Sequence, residues 1–288
     1  MDLKVIMVPF GGDNSEVGAL RTALELAKTH NAHVEAWHIT PSPYSASTVF
    51  YPGQGLAPIY SEELLQELKR TYEVSRLDAL KKFSEIVMEM GVEHIDDDAL
   101  PNKASASFQH ATGDAREIIS ARSRLCDLTV ISRATNEENK FYKGIIYSAL
   151  FDSARPVLLI PAGKSLDLSN TKIIVAWNNS IEAARAVAFS FPFLEHSKTW
   201  IWTSDKDNQR TSSGDGDLLH YLKMHGAEAE ELLPNATTPE SLLMSAKTLG
   251  ASMIVMGAYS HNRFRETILG GMTNFMLKNA NIPILMAH

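Results

Sequence analysis

The chain is poor in cysteine, in clustered basic residues and in long apolar runs. Its single cysteine, Cys126, excludes an internal disulfide, and its place just before an apolar run predicts core packing rather than a reactive thiol. A net charge of -7 with no Lys/Arg-rich run argues against a nucleic-acid partner. No apolar run approaches the length of a membrane-spanning helix, and the N-terminal residues lack a signal-peptide pattern. We therefore expect a cytoplasmic protein that does not bind membranes.

What the sequence does contain is an internal repeat. Three segments recur in the same order: Lys4-Val-Ile-Met-Val-Pro9 as Lys172-Ile-Ile-Val-Ala-Trp177, Asp127-Leu-Thr-Val-Ile-Ser132 as Ser252-Met-Ile-Val-Met-Gly257, and Arg155-Pro-Val-Leu-Leu-Ile160 as Ile282-Pro-Ile-Leu-Met-Ala287. Short β-branched runs that alternate with helical stretches predict parallel sheets. A chain of 288 residues can bury two cores of ordinary size. The sequence thus predicts two α/β domains of one fold, at 1–163 and 168–288.

Each half shows the same order of predicted elements. Strands are expected in the first half at 3–9, 33–39, 104–110, 128–132 and 156–160, and in the second at 171–176, 198–203, 228–233, 252–257 and 283–287. Helices are expected at 16–30, 61–90, 114–124 and 145–154, and then at 180–195, 214–225, 238–249 and 270–280. Asn14 or Ser15 is placed to cap the first helix, and the polar segment 162–170 is the expected linker.

The first half carries an insertion. Residues 41–58 contain four prolines, Tyr44 and Tyr51 and show no periodicity, which predicts an ordered flap over the crevice of the first domain. A surface excursion is the alternative. The long helix that follows is expected to end at Gly91 and to bury one stripe, formed by Leu64, Leu65, Leu68, Tyr72, Leu77, Leu80, Phe83 and Val87.

The loops after the first and fourth strands should meet at one crevice of a doubly wound sheet. In the second half, the loop after the fourth strand ends at Gly270 and Gly271, where bare backbone N–H groups and the helix dipole can hold an anion. The alternative is that these glycines only permit a tight connection. The candidate binding residues are Ala176, Trp177, Asn178, Gly257, Ser260, His261, Arg263, Gly270, Gly271, Met272 and Thr273.

The spacing of this loop resembles that of the nucleotide-binding universal stress proteins. That family carries a glycine, two residues, a second glycine, nine residues, and then a glycine followed by serine or threonine. This chain has Gly257, two residues, Ser260, nine residues, and then Gly270 and Gly271. With the repeat, the chain therefore resembles a tandem universal stress protein.

The resemblance implies two Rossmann-like (adenine nucleotide alpha hydrolase-like) domains, each with a five-stranded, mainly parallel sheet flanked by helices. It implies that the last strand of each domain lies at a sheet edge and pairs the halves. It also implies that the glycine loop and Thr273 surround the ribose and phosphates of ATP, and that Asn178 takes the place of an aspartate that faces the adenine. Both Asn178 and Gly271 depart from the family pattern.

Three other features of the first half suggest different chemistry. Its counterpart loop, from Ser132 onward, has one glycine, Gly144, near the helix start, so we expect no ATP site of the family kind there. The segment 10–15 faintly resembles the phosphate loop of ATP pyrophosphatases, although a glycine turn explains it equally well. His38 and His110, with Asp114 nearby, form a weak candidate metal site without the tight spacing of a zinc motif.

These observations predict a stress-response protein that works by ligand binding rather than turnover. The expected ligand is ATP or another adenine nucleotide in the second domain, and a second copy of the chain is a candidate partner. In the alternative, nucleotide binding has been lost, and the flap-covered first domain binds another small molecule or a protein.

Overall fold

The computed structural model describes residues 2–42, 48–51, 55–58, 62–95, 103–133, 140–195, 197–203, 215–258 and 271–288. The first half comprises β1 (Val5–Pro9), α1 (Val17–His30), β2 (His33–Thr40), β3 (Thr48–Tyr51), β4 (Gly55–Pro58), α2 (Glu62–Glu89), β5 (Glu93–His94), β6 (Ser105–Thr112), α3 (Ala115–Ser123), β7 (Leu128–Arg133), α4 (Lys140–Asp152) and β8 (Val157–Pro161). The second half comprises β9 (Lys172–Ala176), α5 (Ile181–Leu194), β10 (Lys198–Trp202), α6 (Asp215–Met224), β11 (Ala229–Leu232), α7 (Pro239–Leu249), β12 (Met253–Gly257), α8 (Gly271–Asn279) and β13 (Ile284–Ala287).

Within the described residues, eleven strands form one continuous sheet in the order β11-β10-β9-β12-β13-β8-β7-β1-β2-β6-β5. All neighbours are parallel except β13 and β8, which join the two halves antiparallel through Ile284 and Leu159, Leu285 and Leu158, and Met286 and Val157. These side chains are buried. The predicted fold class and the predicted pairing of the last strands are therefore confirmed, and the pairing leaves neither apolar edge open to another chain.

The core lies on both faces of the sheet. Along β1, Ile6 and Val8 face one buried cluster and Met7 faces the other, as the two-residue period of a strand requires. Cys126 lies in the second cluster, and burial raises the pKa of its thiol to about 12. The thiol is therefore protonated at neutral pH, as expected of a packing residue. No helix in the described part of the chain is long and apolar enough to cross a membrane.

Backbone hydrogen bonds place the two halves in a register one residue away from the predicted alignment of their first strands. Asp127 N donates to Val5 O at 2.8 Å, and Ser252 N donates to Lys172 O at the same distance. Val5, not Lys4, is therefore the counterpart of Lys172. The same logic holds for the next strand, because His33 N donates to Lys4 O and Lys198 N donates to Thr171 O. Counting from His33 and Lys198 makes Trp37 the counterpart of Trp202.

Two local predictions about the first helix and the linker change in the structure. Glu16, rather than Asn14 or Ser15, is the N-cap of α1, and its side chain makes no capping bond to the helix. The expected linker packs against this helix: Gly163 N donates to Ser15 O at 3.2 Å. A Cβ atom on Gly18 would lie 1.6 Å from Lys164 O, so only glycine permits this contact.

The stripe predicted for α2 is wrong over its N-terminal part. Leu64 is 38% exposed and Leu77 is 49% exposed. Burial begins at Ala79 and continues at Phe83, Ile86 and Val87, where the Phe83 ring lies 5.5 Å from that of Phe108 on β6. The helix thus packs on the sheet only through its C-terminal part, and it ends next to Gly91, which has φ of 66° as predicted for a helix stop.

The predicted flap is only partly described. It contains an antiparallel hairpin of β3 and β4, where the sequence indicated no regular structure. Tyr44 lies outside the described residues, as does the side chain of Tyr51, so the predicted cover over the first crevice stays a prediction.

Candidate functional site

Each half of the sheet has a switch point at which ligands bind in folds of this kind. β1 lies between β7 and β2, and β9 lies between β12 and β10. The loops after β1 and β7 therefore start side by side, as do the loops after β9 and β12. The two crevices differ in the side chains that line them and in the hydrogen bonds that these side chains make.

In the second half, the loop after β9 is short and well bonded. Trp177 N donates to Trp202 O at 2.9 Å, which keeps the loop on the end of β10. Ser180 caps α5, because its Oγ accepts from Ala183 N at 3.1 Å. Asn178 Oδ1 accepts from Ser180 N at 3.3 Å, so this amide oxygen stabilises the turn. Asn178 therefore orients the loop at the place where the resemblance puts an aspartate.

Gly257, at the end of β12, permits close packing of the α5 N-terminus. A Cβ atom there would lie 2.5 Å from Ala183 N and 2.7 Å from the carbonyl carbon of Glu182. Register pairing of Met256 with Ala176 sets the two strand ends side by side. The structure thus brings Ala176, Trp177, Asn178 and Gly257 together, and it gives Gly257 a packing role within the protein.

The first turn of α8 holds the remaining described candidates. Gly271 begins the helix, and a Cβ atom placed there meets no atom of the described residues within 4 Å. Met272 is half-buried against the core, and Thr273 is buried. The other predicted ligand contacts, Ser260, His261, Arg263 and Gly270, lie outside the described residues.

In the first half, a carboxylate of the protein itself fills the loop after β1. Glu16 is 5% exposed, and its Oε2 accepts from Gly11 N at 2.7 Å and from Asp13 N at 3.3 Å. Asp13 in turn accepts from Ser15 N, and hydrogen bonds to Ser15 lower the pKa of Asp13. The backbone donors that a phosphate-binding loop would offer are therefore engaged internally, which counts against the pyrophosphatase alternative.

The end of β7 closes the same crevice and reaches into the other half. Ser132 Oγ donates to Ser15 O at 2.7 Å. The next residue, Arg133, is 5% exposed and donates from Nη1 to Met276 O at 2.7 Å and to Leu277 O at 2.8 Å. Burial lowers the pKa of Arg133 to about 10, so the guanidinium stays charged at neutral pH.

Arg133 makes a contact between the halves that the sequence pattern does not reveal. It binds carbonyl groups in the last turn of α8, where the helix dipole favours a cation, and the N-terminus of that helix is the candidate anion site. Its counterpart in the second half is Ala258, whose side chain has no donor and cannot make the equivalent contact to the first half. An arginine that ends an apolar strand was the single signal available in the sequence.

The histidines of the first half form a polar ladder rather than a metal site. His38 pairs in register with His110, and Thr40 with Thr112, and Thr40 Oγ1 lies 3.2 Å from His110 Nε2. Burial lowers the pKa of both histidines. Asp114 does not join them, because it caps α3 through Arg116 N at 2.8 Å and pairs with the Arg116 side chain. The described residues contain no group of three or more metal-ligating side chains.

Comparison with known proteins supports the architecture. No family model matches the chain, and no curated protein matches it. A universal stress protein from Archaeoglobus fulgidus DSM 4304 is similar in structure, with a TM-score of 0.70 and 14% sequence identity over 100% of this chain and 99% of that chain. A functionally unknown protein from Pseudomonas aeruginosa PAO1 gives a TM-score of 0.55 and 14% identity over 99% of this chain and 92% of that chain. The chain thus has the fold of two universal stress protein units in tandem.

Proposed function

We propose that this chain is a ligand-binding protein of the universal stress protein type that holds an adenine nucleotide in its second half. The observation that carries the proposal is the contrast between the two crevices. Glu16 accepts from two loop N–H groups of the first half, whereas in the second half a Cβ atom at Gly271, where α8 begins, would meet no atom of the described residues within 4 Å. The glycine spacing from Gly257 to Gly271 supports the same half.

Binding, rather than turnover, is the proposed activity. None of the candidate binding residues is a carboxylate, so the site offers no evident general base with a paired metal-binding carboxylate near the glycine loop. The bound nucleotide would then act as a signal, by stabilising one conformation of the protein over another. Purified protein should turn over ATP more slowly than about one per second, the lower end of the range typical of enzymes.

The test is a matched pair of glycine substitutions, in the two halves. Gly271→Val adds a side chain where phosphate must approach the α8 N-terminus, and its Cβ atom meets nothing within 4 Å in the part of the chain that the structure describes. ATP affinity should therefore fall about tenfold or more without loss of fold. Gly144→Val is the control at the equivalent place in α4, where only the flexible side chain of Arg116 must move. Equal affinity in wild type and Gly271→Val would contradict the proposal.

A second candidate function rests on the first half. His38 Nε2 is buried and makes no hydrogen bond within the described part of the chain, next to the ladder of His110, Thr40 and Thr112. A small polar ligand at this place would give that nitrogen a partner. Mass spectrometry of ligands released from the purified, denatured protein separates the two candidates: a co-purified nucleotide favours the first, and a different small molecule favours the second.

A further inference from the structure

Two consecutive residues at the end of β10 carry buried polar atoms without partners. Trp202 is 4% exposed and Thr203 is 1% exposed. Trp202 Nε1 and Thr203 Oγ1 make no hydrogen bond in the described structure. An unsatisfied buried donor costs about 1–3 kcal/mol, and native proteins contain few of them. Two in succession at the ligand-binding end of a sheet therefore require an explanation.

In the first half, the indole N–H at the same position has a hydrogen-bond partner. Trp37 is the counterpart of Trp202, and its Nε1 donates to Glu35 Oε2 at 2.9 Å. The Arg122 guanidinium lies 4.5 Å from the centre of the Trp37 ring. The counterpart of Glu35 in the second half is Trp200, which offers no acceptor. Within the described residues, the second half thus keeps the indole but lacks an internal partner for it.

The next position differs between the halves in a related way. His38, the counterpart of Thr203, makes one hydrogen bond, from Nδ1 to Phe10 O at 3.2 Å. Its Nε2 has none, and the shorter Thr203 side chain makes none. Unsatisfied polar atoms therefore occur at the end of the second strand in both halves, but only the second half leaves an indole N–H unpaired.

The position of Trp202 links it to the proposed nucleotide site. It pairs in register with Ala176, and its carbonyl oxygen accepts from Trp177 N at 2.9 Å. Its ring belongs to the buried cluster that also contains Met256 at the end of β12 and Met276 of α8. The backbone of Trp202 thus borders the loop after β9, and its ring lies in the buried cluster to which β12 and α8 also contribute.

We propose that Trp202 and Thr203 are the specificity residues of the second-half crevice, and that the Trp202 N–H donates to a ring acceptor of the ligand's heterocyclic base. The proposal rests on the proposed function. A hydrogen bond made there is shielded from water, so it discriminates strongly against a base without the acceptor. Because both atoms are closed to solvent, neighbouring side chains must move first, and association should be slower than the usual range for a preformed site.

The test compares ATP with adenine nucleotides in which one ring nitrogen is replaced by C–H, in the wild type and in Trp202→Phe. We expect Trp202→Phe to bind ATP about 10- to 100-fold more weakly. One deaza analogue should lose a similar factor with the wild type and lose no more with the variant, since the same hydrogen bond is missing from both. Trp37→Phe is the matched control, because its N–H is already paired within the protein, and its ATP affinity should stay within about twofold of the wild type.

A second variant separates binding from structure. Thr203→Val keeps the volume of the side chain and removes an unpaired hydroxyl, so the melting temperature of the ligand-free protein should stay the same or rise. ATP affinity should fall in the same variant. A structural role predicts the opposite pair of results, a lower melting temperature with unchanged affinity.

The outcomes are distinguishable from failure of the proposed function. If the wild type binds no adenine nucleotide, the proposed function is wrong and this inference falls with it. If the wild type binds ATP and Trp202→Phe and Thr203→Val bind it equally well, only the assignment of these two residues is overturned. Weaker binding in both variants, with the deaza analogue insensitive to Trp202→Phe, supports the proposal.

Discussion

At the scale of single residues, Glu16 decides how the first crevice differs from the second. A glutamate before an amphipathic helix usually indicates an exposed first turn, and the sequence gives no sign that this one folds back. In the structure it accepts from two backbone N–H groups of its own loop. The conformation of this loop could not be predicted from neighbouring residues, because it depends on distant ones: Ser132 and the linker both donate to Ser15 O.

This arrangement predicts a measurable cost of removing the carboxylate. Glu16→Ala leaves Gly11 N and Asp13 N without their acceptor, and each lost bond to a charged group is worth about 1.5–3 kcal/mol. We expect the free energy of unfolding, measured with urea, to fall by about 2–4 kcal/mol. Glu16→Gln keeps an acceptor oxygen in place and should lose less than half as much. Equal losses in the two variants would show that the acceptor is not the stabilising feature.

At the scale of elements, the apolar periodicity located the strands and helices to within a few residues, except in the insertion, at the short β5, which was not predicted, and over the first turns of α4. Burial on both faces of the sheet makes each strand a short apolar run, which is visible in one sequence. Because every position of such a strand is apolar, the sequence does not show which residues of the two first strands correspond. The alignment of Lys4 with Lys172 was therefore wrong by one position. The exposed part of α2 was missed because its leucines keep a helical spacing where no sheet lies beneath them.

The candidate site was predictable in part. Glycine spacing placed the site at the ends of β9 and β12, and the structure brings Trp177, Asn178 and Gly257 together there. The unpaired Trp202 and the buried Arg133 could not be predicted, because a missing acceptor or a contact between halves becomes visible only when side chains are placed.

The packing of α5 against β12 gives a prediction for Gly257. Gly257→Ala would bring a methyl group within 2.5 Å of Ala183 N, so the start of α5 must move. Overpacking of this kind typically costs about 1–3 kcal/mol, and we expect a loss of that size in the free energy of unfolding. Gly271→Ala serves as the control, because its Cβ atom meets none of the described residues within 4 Å, and the loss should be below about 0.5 kcal/mol. A Gly257→Ala protein as stable as the wild type would mean that the helix adjusts freely.

At the scale of the whole molecule, several contacts between described residues join the halves, and two of them concern the sheet and the end of β7. The antiparallel pairing of β8 and β13 makes the sheet continuous, and Arg133 ties the end of β7 to the last turn of α8. Arg133 therefore connects the end of β7, at the first crevice, to the last turn of the helix whose N-terminus is the candidate anion site of the second half.

Arg133 is expected to stabilise this helix more than a surface arginine does. Arg133→Met should lower the free energy of unfolding by about 2–3 kcal/mol, because two carbonyl groups of α8 lose a charged donor in a buried place. Hydrogen exchange in the last turn of α8 should rise with it. Arg124→Met is the matched control, since Arg124 Nε also donates to a helix-end carbonyl, Asp152 O at 2.8 Å, from an exposed position. Its loss should stay below about 1 kcal/mol, and equal losses would argue against a special role for Arg133.

The most direct test of the whole account is hydrogen exchange by mass spectrometry of the full chain, with and without saturating ATP. The account predicts slower exchange in the loop 177–180 and at the start of α8 in the presence of ATP. It predicts no change in the loop 10–16, where Gly11 N and Asp13 N already donate to Glu16. Protection confined to 10–16 and the end of β7, or no protection anywhere, would contradict the assignment of the nucleotide to the second half.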